Sequence, residues 1–480
     1  MRSYFNIRWL KLTAVGFLSI LLILSIFLGV RTTIDLSNFS NSISSVTSDG
    51  LNVDHAQNLN QDIDQIMTVV NLPVIKQISQ LFGLDFVPIK EEIRSIITTA
   101  PILAGSQSPK KYLIAFQNSA EARGTGGILG AYAIVEFNKG SLKVIQTGSN
   151  EALKWIDEIP IKMPNEFTSL YRSDPAIWQN SNLSPHFPYG AQIWLALWKK
   201  QFGQSLDGVI AVDPSALSYM LRATGPITLP SGKILTSENL VSETLSAAYK
   251  EYEKDNAARK QYLVSIINAT FKQLLEGGFN KLQMARALQR GIIENRILVY
   301  STESRVEKEL AKTRLAGFMH TTPSNQYRVV VQNIDASKLD YYLDRDVSIK
   351  SLSCGDSAEV EVLVTVKNSL TSGMGLPAYV LTRADKSKPA TIVPGQHRFL
   401  LFVYGPPQSK LISATRSSTT GSAGGMGEER TRPILVVDLD LPPGQEEKIT
   451  AVFTRGYGPI SYHSQPLVIE DKVSTNDKCK

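Results

Sequence analysis

Cysteine is nearly absent, with Cys354 and Cys479 the two in 480 residues. That excludes a disulfide-dense scaffold and any cysteine-rich zinc or iron–sulfur centre. The five histidines, His55, His186, His320, His397 and His463, stand alone without zinc spacing, so no metal site is expected. No glycine loop runs into Gly-Lys-Ser/Thr, and no Gly-x-Ser-x-Gly elbow occurs. Ser108-x-x-Lys111 lacks the later Lys-Thr-Gly and Ser-Asp-Asn of a penicillin-binding signature. Asp340, Asp344 and Asp346 lack the ligand spacing and central glycine of a calcium loop. A large excess of one charge is missing as well. Lys and Arg number 50 against 44 Asp and Glu, for a net charge of +6. Three of the basic residues, Arg2, Arg8 and Lys11, precede an apolar run, and the remainder is too nearly balanced to attract nucleic acid through its bulk field.

What is present is an ordinary globular composition, 43% apolar and 20% charged, which rules out a disordered chain, a collagen-like fibre and a multi-span transporter. The length fits two or three domains. Residues 12–30 (LTAVGFLSILLILSIFLGV) carry no charge. At about 1.5 Å per residue such a helix crosses a hydrocarbon core of about 30 Å. The basic residues before it place the N-terminus in the cytoplasm and the bulk of the chain outside the cell membrane. The run exceeds a signal peptide's apolar stretch, and Val30-Arg31-Thr32-Thr33 offers no small-residue cleavage site. The expectation is a single-pass protein: residues 1–33 a cytoplasmic tip and transmembrane anchor, and 34–105 a helical stalk interrupted by Pro73, Pro88 and Pro101.

Residues 106–335 interleave strands and helices, the pattern of an α/β domain. Strand-like runs occur at 112–116 (YLIAF), 131–137 (AYAIVEF), 141–147, 206–212 and 296–300. Helical stripes occur at 190–202, 214–222, from 255 to Gly277-Gly278, at 282–289 and at 303–315. Beyond residue 340 the helical period vanishes. Runs at 359–367 (EVEVLVTVK), 398–404, 434–439 and 448–453 read as strands, so 340–475 is expected to be an immunoglobulin-like antiparallel β-sandwich. Residues 417–427 (SSTTGSAGGMG) read as a flexible loop. Cys354 and Cys479 are compatible with a disulfide pinning the C-terminal tail and with two free thiols.

The most unusual segment lies between the first strand runs: Gln117-Asn118-Ser119-Ala120-Glu121-Ala122-Arg123-Gly124-Thr125-Gly126-Gly127. Glycines there free backbone N–H groups to converge on an anion, Arg123 offers a two-pronged donor to phosphate, and Glu121 would pair with Arg123 or hold a cation. A strand rather than a helix follows, so it is no dinucleotide fingerprint. The competing reading is a tight turn with a solvated ion pair. Arg259 and Gln261 open a long helix, where a cation opposes the helix dipole. They read either as ligands for an anion or, with Lys254 and Lys260, as a solvated face. The candidate ligand-binding set is Glu121, Arg123, Gly124, Thr125, Gly126, Gly127, Arg259 and Gln261.

Residues 116–140 (FQNSAEARGTGGILGAYAIVEFNKG), 213–239 and 329–347 (VVVQNIDASKLDYYLDRDV) resemble a family of unknown function found in the envelopes of Gram-positive and candidate-phylum bacteria. More distantly, the order of elements is similar to the LytR-CpsA-Psr transferases, which move polyprenyl-pyrophosphate-linked glycopolymers onto peptidoglycan. Val212-Asp213-Pro214 stands at their strand-to-helix step, and Arg259 and Gln261 resemble their later Arg-Gln pair. The carboxylate that helps hold their metal has no counterpart in Ile128-Leu129-Gly130-Ala131, and Ser149-Asn150-Glu151 replaces their Pro-Arg-Asp. The resemblance implies an envelope protein that binds, and in those enzymes transfers, a phosphorylated polyprenyl lipid or glycopolymer; it names no cofactor here. The missing carboxylates equally suit a non-catalytic scaffold or adhesion protein acting through its sandwich.

Overall fold

The computed structural model describes residues 86–479 and residue 61, apart from 356, 372–374, 383–392 and 419–423. The apolar run at 12–30 and most of the expected stalk lie outside the described residues. Among the described residues no helix is long and apolar enough to cross a membrane.

The described part of the stalk segment is helix α1 (Phe86–Leu103). Its Ile93, Ile96, Ile97 and Ala100, at helical spacing, are buried in the core of the α/β unit. Strands β1 (Lys110–Arg123), β2 (Gly126–Asn138) and β3 (Ser141–Ser149) form a meander. Helices α2 (Asn165–Tyr171) and α3 (Phe187–Phe202) lead to β4 (Gly208–Val212), which runs parallel to β1. Helix α4 (Pro214–Thr224) starts where the Asp213 carboxylate accepts from the Ala216 N–H at 2.8 Å, with Pro214 in its first turn. Then follow α5 (Asn256–Glu276), α6 (Lys281–Ile293), β5 (Ile297–Ser301) and α7 (Ser304–Leu310). The sheet order is β3-β2-β1-β4-β5.

Alternation along β1 sorts its side chains to two cores. Tyr112 and Ile114 join α1, α4 and α5 on one face, while Leu113 and Ala115 join Trp194 and Trp198 of α3 on the other. The glycine-rich stretch between the first two strand runs is strand on both sides of a turn at Gly124-Thr125. β1 and β2 continue pairing to Arg123 and Gly126, with register shifts after Phe116 and Asn118 that absorb its polar residues.

The second unit packs two five-stranded sheets. Its strands are β6 (Gln326–Asn333), β7 (Leu343–Ser351), β8 (Glu359–Asn368), β9 (His397–Tyr404) and β10 (Leu411–Arg416). They continue with β11 (Gly425–Glu429), β12 (Arg432–Leu441), β13 (Glu446–Thr454), β14 (Ser461–Ser464) and β15 (Lys472–Asn476). The orders are β10-β13-β8-β7-β15 and β11-β12-β9-β6-β14. Val360, Val362, Val364 and Val366 alternate into the shared core, each burial contributing about 1.5–3 kcal/mol. Three expectations are corrected. β6, placed before residue 335, pairs with β9 inside the sandwich. β14 and β15 run parallel to β6 and β7, so the sandwich is not wholly antiparallel. Residues 425–427, the end of the expected loop, belong to edge strand β11, held by β12.

The parallel edges arise because the tail returns along the sandwich and is fastened at its end by a Cys354–Cys479 disulfide. On the way it joins the two units. Gln465 Nε2 donates to the Arg123 carbonyl at 2.7 Å, and Arg296 donates to the Leu467 carbonyl at 2.9 Å. Val330, Phe402, Tyr404 and Ile434 of the sandwich lie in the same core as Leu113 and Trp194, so the two units share packed surface.

Candidate functional site

The far half of β1, Gln117 to Arg123, buries polar side chains and gives all of them but Ser119 partners within the fold. Gln117 Oε1 accepts from Thr125 Oγ1 and from Asn182 Nδ2, each at 2.8 Å. Asn118 Nδ2 donates to the Tyr249 hydroxyl at 2.7 Å. The Ala122 N–H donates to the buried Asp340 carboxylate at 2.9 Å. Glu121 and Arg123 are 4% and 5% exposed and lie 3.1 Å apart. Arg123 also donates to Asn180 Oδ1 at 2.8 Å and to the carbonyls of Ala122 and Asn333 at 2.8 and 3.1 Å. On its other side Glu121 is bonded to Lys338. Burial pushes the Glu121 carboxyl up, but Lys338 and then Arg123 outweigh it and hold the group below the ordinary carboxylate value.

Glu121 and Arg123 line a cleft of about 1100 Å³ between the two units. Asn256, Arg259 and Lys260 of α5 line it, as do Lys338 after β6, Tyr249 and Tyr379. The Arg259 guanidinium is bonded to Asn256 and rests 4.6 Å and 4.1 Å from the ring centres of Tyr249 and Tyr379. Those rings stack 5.7 Å apart, a geometry that holds a cation against aromatic faces. Lys338 Nζ lies 5.3 Å from the Tyr379 ring. Lys260 is bonded to Asn150 Oδ1. Burial, followed by the charges of Lys338 and Arg259, pushes its ammonium down to about 8. Four cationic side chains therefore share a cleft with one buried carboxylate, and the acidic Glu151 and Asp174 are exposed lining residues. Helix α5 adds the positive end of its dipole, since its N-terminal residues line the same space. The arrangement suits a polyanion with several oxygens.

The expected set divides. Glu121, Arg123 and Arg259 come together, and the solvated-face alternative fails for Arg259, which is 2% exposed. Gly124, Thr125, Gly126 and Gly127 do not line the cleft. A Cβ on Gly124 would meet the Leu183 carbonyl oxygen at 2.2 Å, and one on Gly127 the Asn118 carbonyl oxygen at 2.1 Å. Thr125 is bonded to Gln117, so the glycines serve close packing at the hairpin tip. Gln261 is exposed on α5 and outside the lining. Sequence reasoning missed Lys338, Tyr249 and Tyr379, and named Lys260 as part of a solvated face. Lys338 was within reach, because it sits in the 329–347 segment that carries a family resemblance. Among the described residues no group of three His, Cys, Asp or Glu is placed to hold a metal ion.

An apolar pocket of about 290 Å³ lies on the helical face of the first sheet. Leu103, Phe137, Met220, Leu274, Met284 and Leu310 are among its lining residues. Neither Arg123 nor Arg259 borders it; Leu274 and Arg259 stand near opposite ends of α5.

Residues 107–249 match a family described as a protein of unknown function, DUF4012. The match covers less than half of the chain, takes in Glu121, Arg123 and Tyr249, and stops before Arg259, Lys260 and Lys338. No curated protein matches. A crystal structure of protein gbs0355 from Streptococcus agalactiae aligns over 45% of this chain and 76% of its own, at 12% identity and a TM-score of 0.25. A likeness that low carries no argument about fold or function.

Proposed function

We propose that the chain is an envelope protein, anchored by residues 12–30 with its bulk outside the cell membrane, that binds a phosphorylated polyprenyl lipid or glycopolymer in the cleft between its two units. The observation that carries the reading is the meeting of Arg123, Arg259, Lys260 and Lys338 around one buried carboxylate. Burying so many like charges is costly unless an anion offsets them. The element order of the first unit, similar to the LytR-CpsA-Psr enzymes, supports a phosphorylated ligand of that chemistry. Transfer is not part of the reading, because Glu121 is occupied by two cations.

The apolar pocket supports a lipid portion less directly, since it is separate from the cationic cleft. The test titrates the full-length chain in detergent with polyprenyl phosphate and with the neutral polyprenol, beside the Arg259→Gln variant. The reading expects the phosphate to bind, the alcohol to bind at least tenfold more weakly (about 1.4 kcal/mol), and the variant to lose that preference. Equal binding of phosphate and alcohol, or none, overturns it and leaves a scaffold acting through the sandwich.

A further inference from the structure

Tryptophan normally lies buried in this protein: Trp178, Trp194 and Trp198 are at most 1% exposed. Trp155 is 70% exposed and lines the cationic cleft. Its exposure is not the result of a loose loop. The preceding Leu153 is 4% exposed, the Lys154 N–H donates to Gln201 Oε1 at 2.9 Å, and the Lys154 carbonyl accepts from Trp178 Nε1 at 3.1 Å. Both polar backbone groups of its neighbour are thus fixed, so the indole is presented from an anchored backbone.

The wall of the same cleft carries side-chain amides: Asn150, Gln179, Asn180 and Gln332. Gln332 is 2% exposed, yet its Oε1 has no hydrogen-bond partner; Gln179 Oε1 is buried and likewise unpartnered. Buried amide oxygens without partners are uncommon, because each forfeits the hydrogen bond it made to water. Both side chains border the cleft, so a small rotation would bring either oxygen to the hydroxyl donors of a ligand. The aromatic face asks for something else, an apolar surface of matching size. One class of molecule has both. A pyranose ring presents a face of C–H groups, while its rim carries hydroxyls.

We infer that Trp155, Gln179 and Gln332 form a sugar subsite, and that the ligand of the cleft is a glycan carrying its phosphate against Arg259 and Lys260. The sugar lies on Trp155, and its hydroxyls donate to the amide oxygens. The inference rests on the anion reading for the position of the phosphate, but the sugar subsite is tested separately.

The full-length chain is titrated with inorganic phosphate, glucose 1-phosphate, maltose 1-phosphate and neutral maltose, following tryptophan emission and heat. Maltose 1-phosphate is expected to bind about tenfold more tightly than inorganic phosphate, which corresponds to one stacked aromatic contact with its hydrogen bonds. Trp155→Ala is expected to remove that gain and leave inorganic phosphate binding unchanged, while Trp155→Phe keeps most of it. Gln332→Leu is expected to weaken the sugar phosphates alone. Maltose binding that needs Trp155 in a chain that ignores inorganic phosphate supports the subsite and sinks the anion reading. Sugar phosphates binding no better than inorganic phosphate overturn the subsite. So does an emission shift produced by phosphatidylcholine vesicles and not by any sugar, which makes Trp155 a membrane contact.

Discussion

The two halves of β1 are one strand with opposite contents. From Tyr112 to Ala115 the side chains are apolar and fill the cores on both faces of the sheet. From Gln117 to Arg123 they are mostly polar and almost as deeply buried. The first half is stabilised by removing apolar surface from water. The second holds together through partners for most of its buried polar groups, the Ser119 hydroxyl being without one, and an ion trio of this kind seldom exceeds what apolar packing would give. The comparison teaches that stability alone does not account for the second half, which is what the proposed binding role would explain.

Removing one member of the trio tests this most severely. Glu121→Ala leaves Arg123 and Lys338 without their carboxylate, and a loss of about 3–5 kcal/mol is expected in chemical denaturation. The double variant Glu121→Gln/Lys338→Met should recover at least half of that loss while binding phosphate more weakly. Failure to recover would mean that the trio serves stability. Leu113→Ala, in the apolar half, is expected to cost about 3–5 kcal/mol through its cavity and to leave phosphate affinity unchanged in the folded fraction.

A smaller effect is expected at the seam. Gln465→Ala deprives the Arg123 carbonyl and the Val331 N–H of partners. It should cost about 1–3 kcal/mol and weaken anion binding, because it loosens Arg123. The smallest effect is a pH dependence. Lys260 has its ammonium lowered to about 8 from an ordinary 10.5. Below about 8 it is charged in both states and its burial cost is full. Between about 8 and 10.5 the unfolded chain keeps a proton that the folded chain has released, so stability rises with pH across that window. Lys260→Gln should flatten the rise in melting temperature. Glu121 works in the opposite sense, for its depressed value gives stability above the ordinary carboxylate range that is lost as pH falls through it.

The apolar half of β1 was legible in the sequence because period and composition agree there, and the same holds for the valines of β8 and for the Asp213-Pro214 helix start. The polar half was singled out but misread in shape. Gln117 to Gly127 has the composition of a loop, and only pairing across the hairpin, with its register shifts, makes it a strand. Arg123 and Arg259 were chosen for their chemistry and do share a cleft. Tyr379 escaped because nothing local marks it, and Lys338 because the resemblance of its segment gives it no role; they are brought to α5 by the turn after β6 and by the short helix Ala378–Leu381. Trp155 escaped for the opposite reason, since an aromatic residue in sequence reads as core until its exposure is known. The parallel edges β14 and β15 depend on the returning tail, which no strand pattern encodes.

The central claim is that the cleft built on the polar half of β1 binds phosphate through its cations. Calorimetric titration of the full-length chain with inorganic pyrophosphate at pH 7 and at pH 9 tests it most directly, with Lys260→Gln beside it. The account predicts binding at pH 7 that weakens at pH 9 as Lys260 loses its proton, and a variant that is weak at both. Absent binding, or binding that neither the pH change nor the substitution alters, would contradict it.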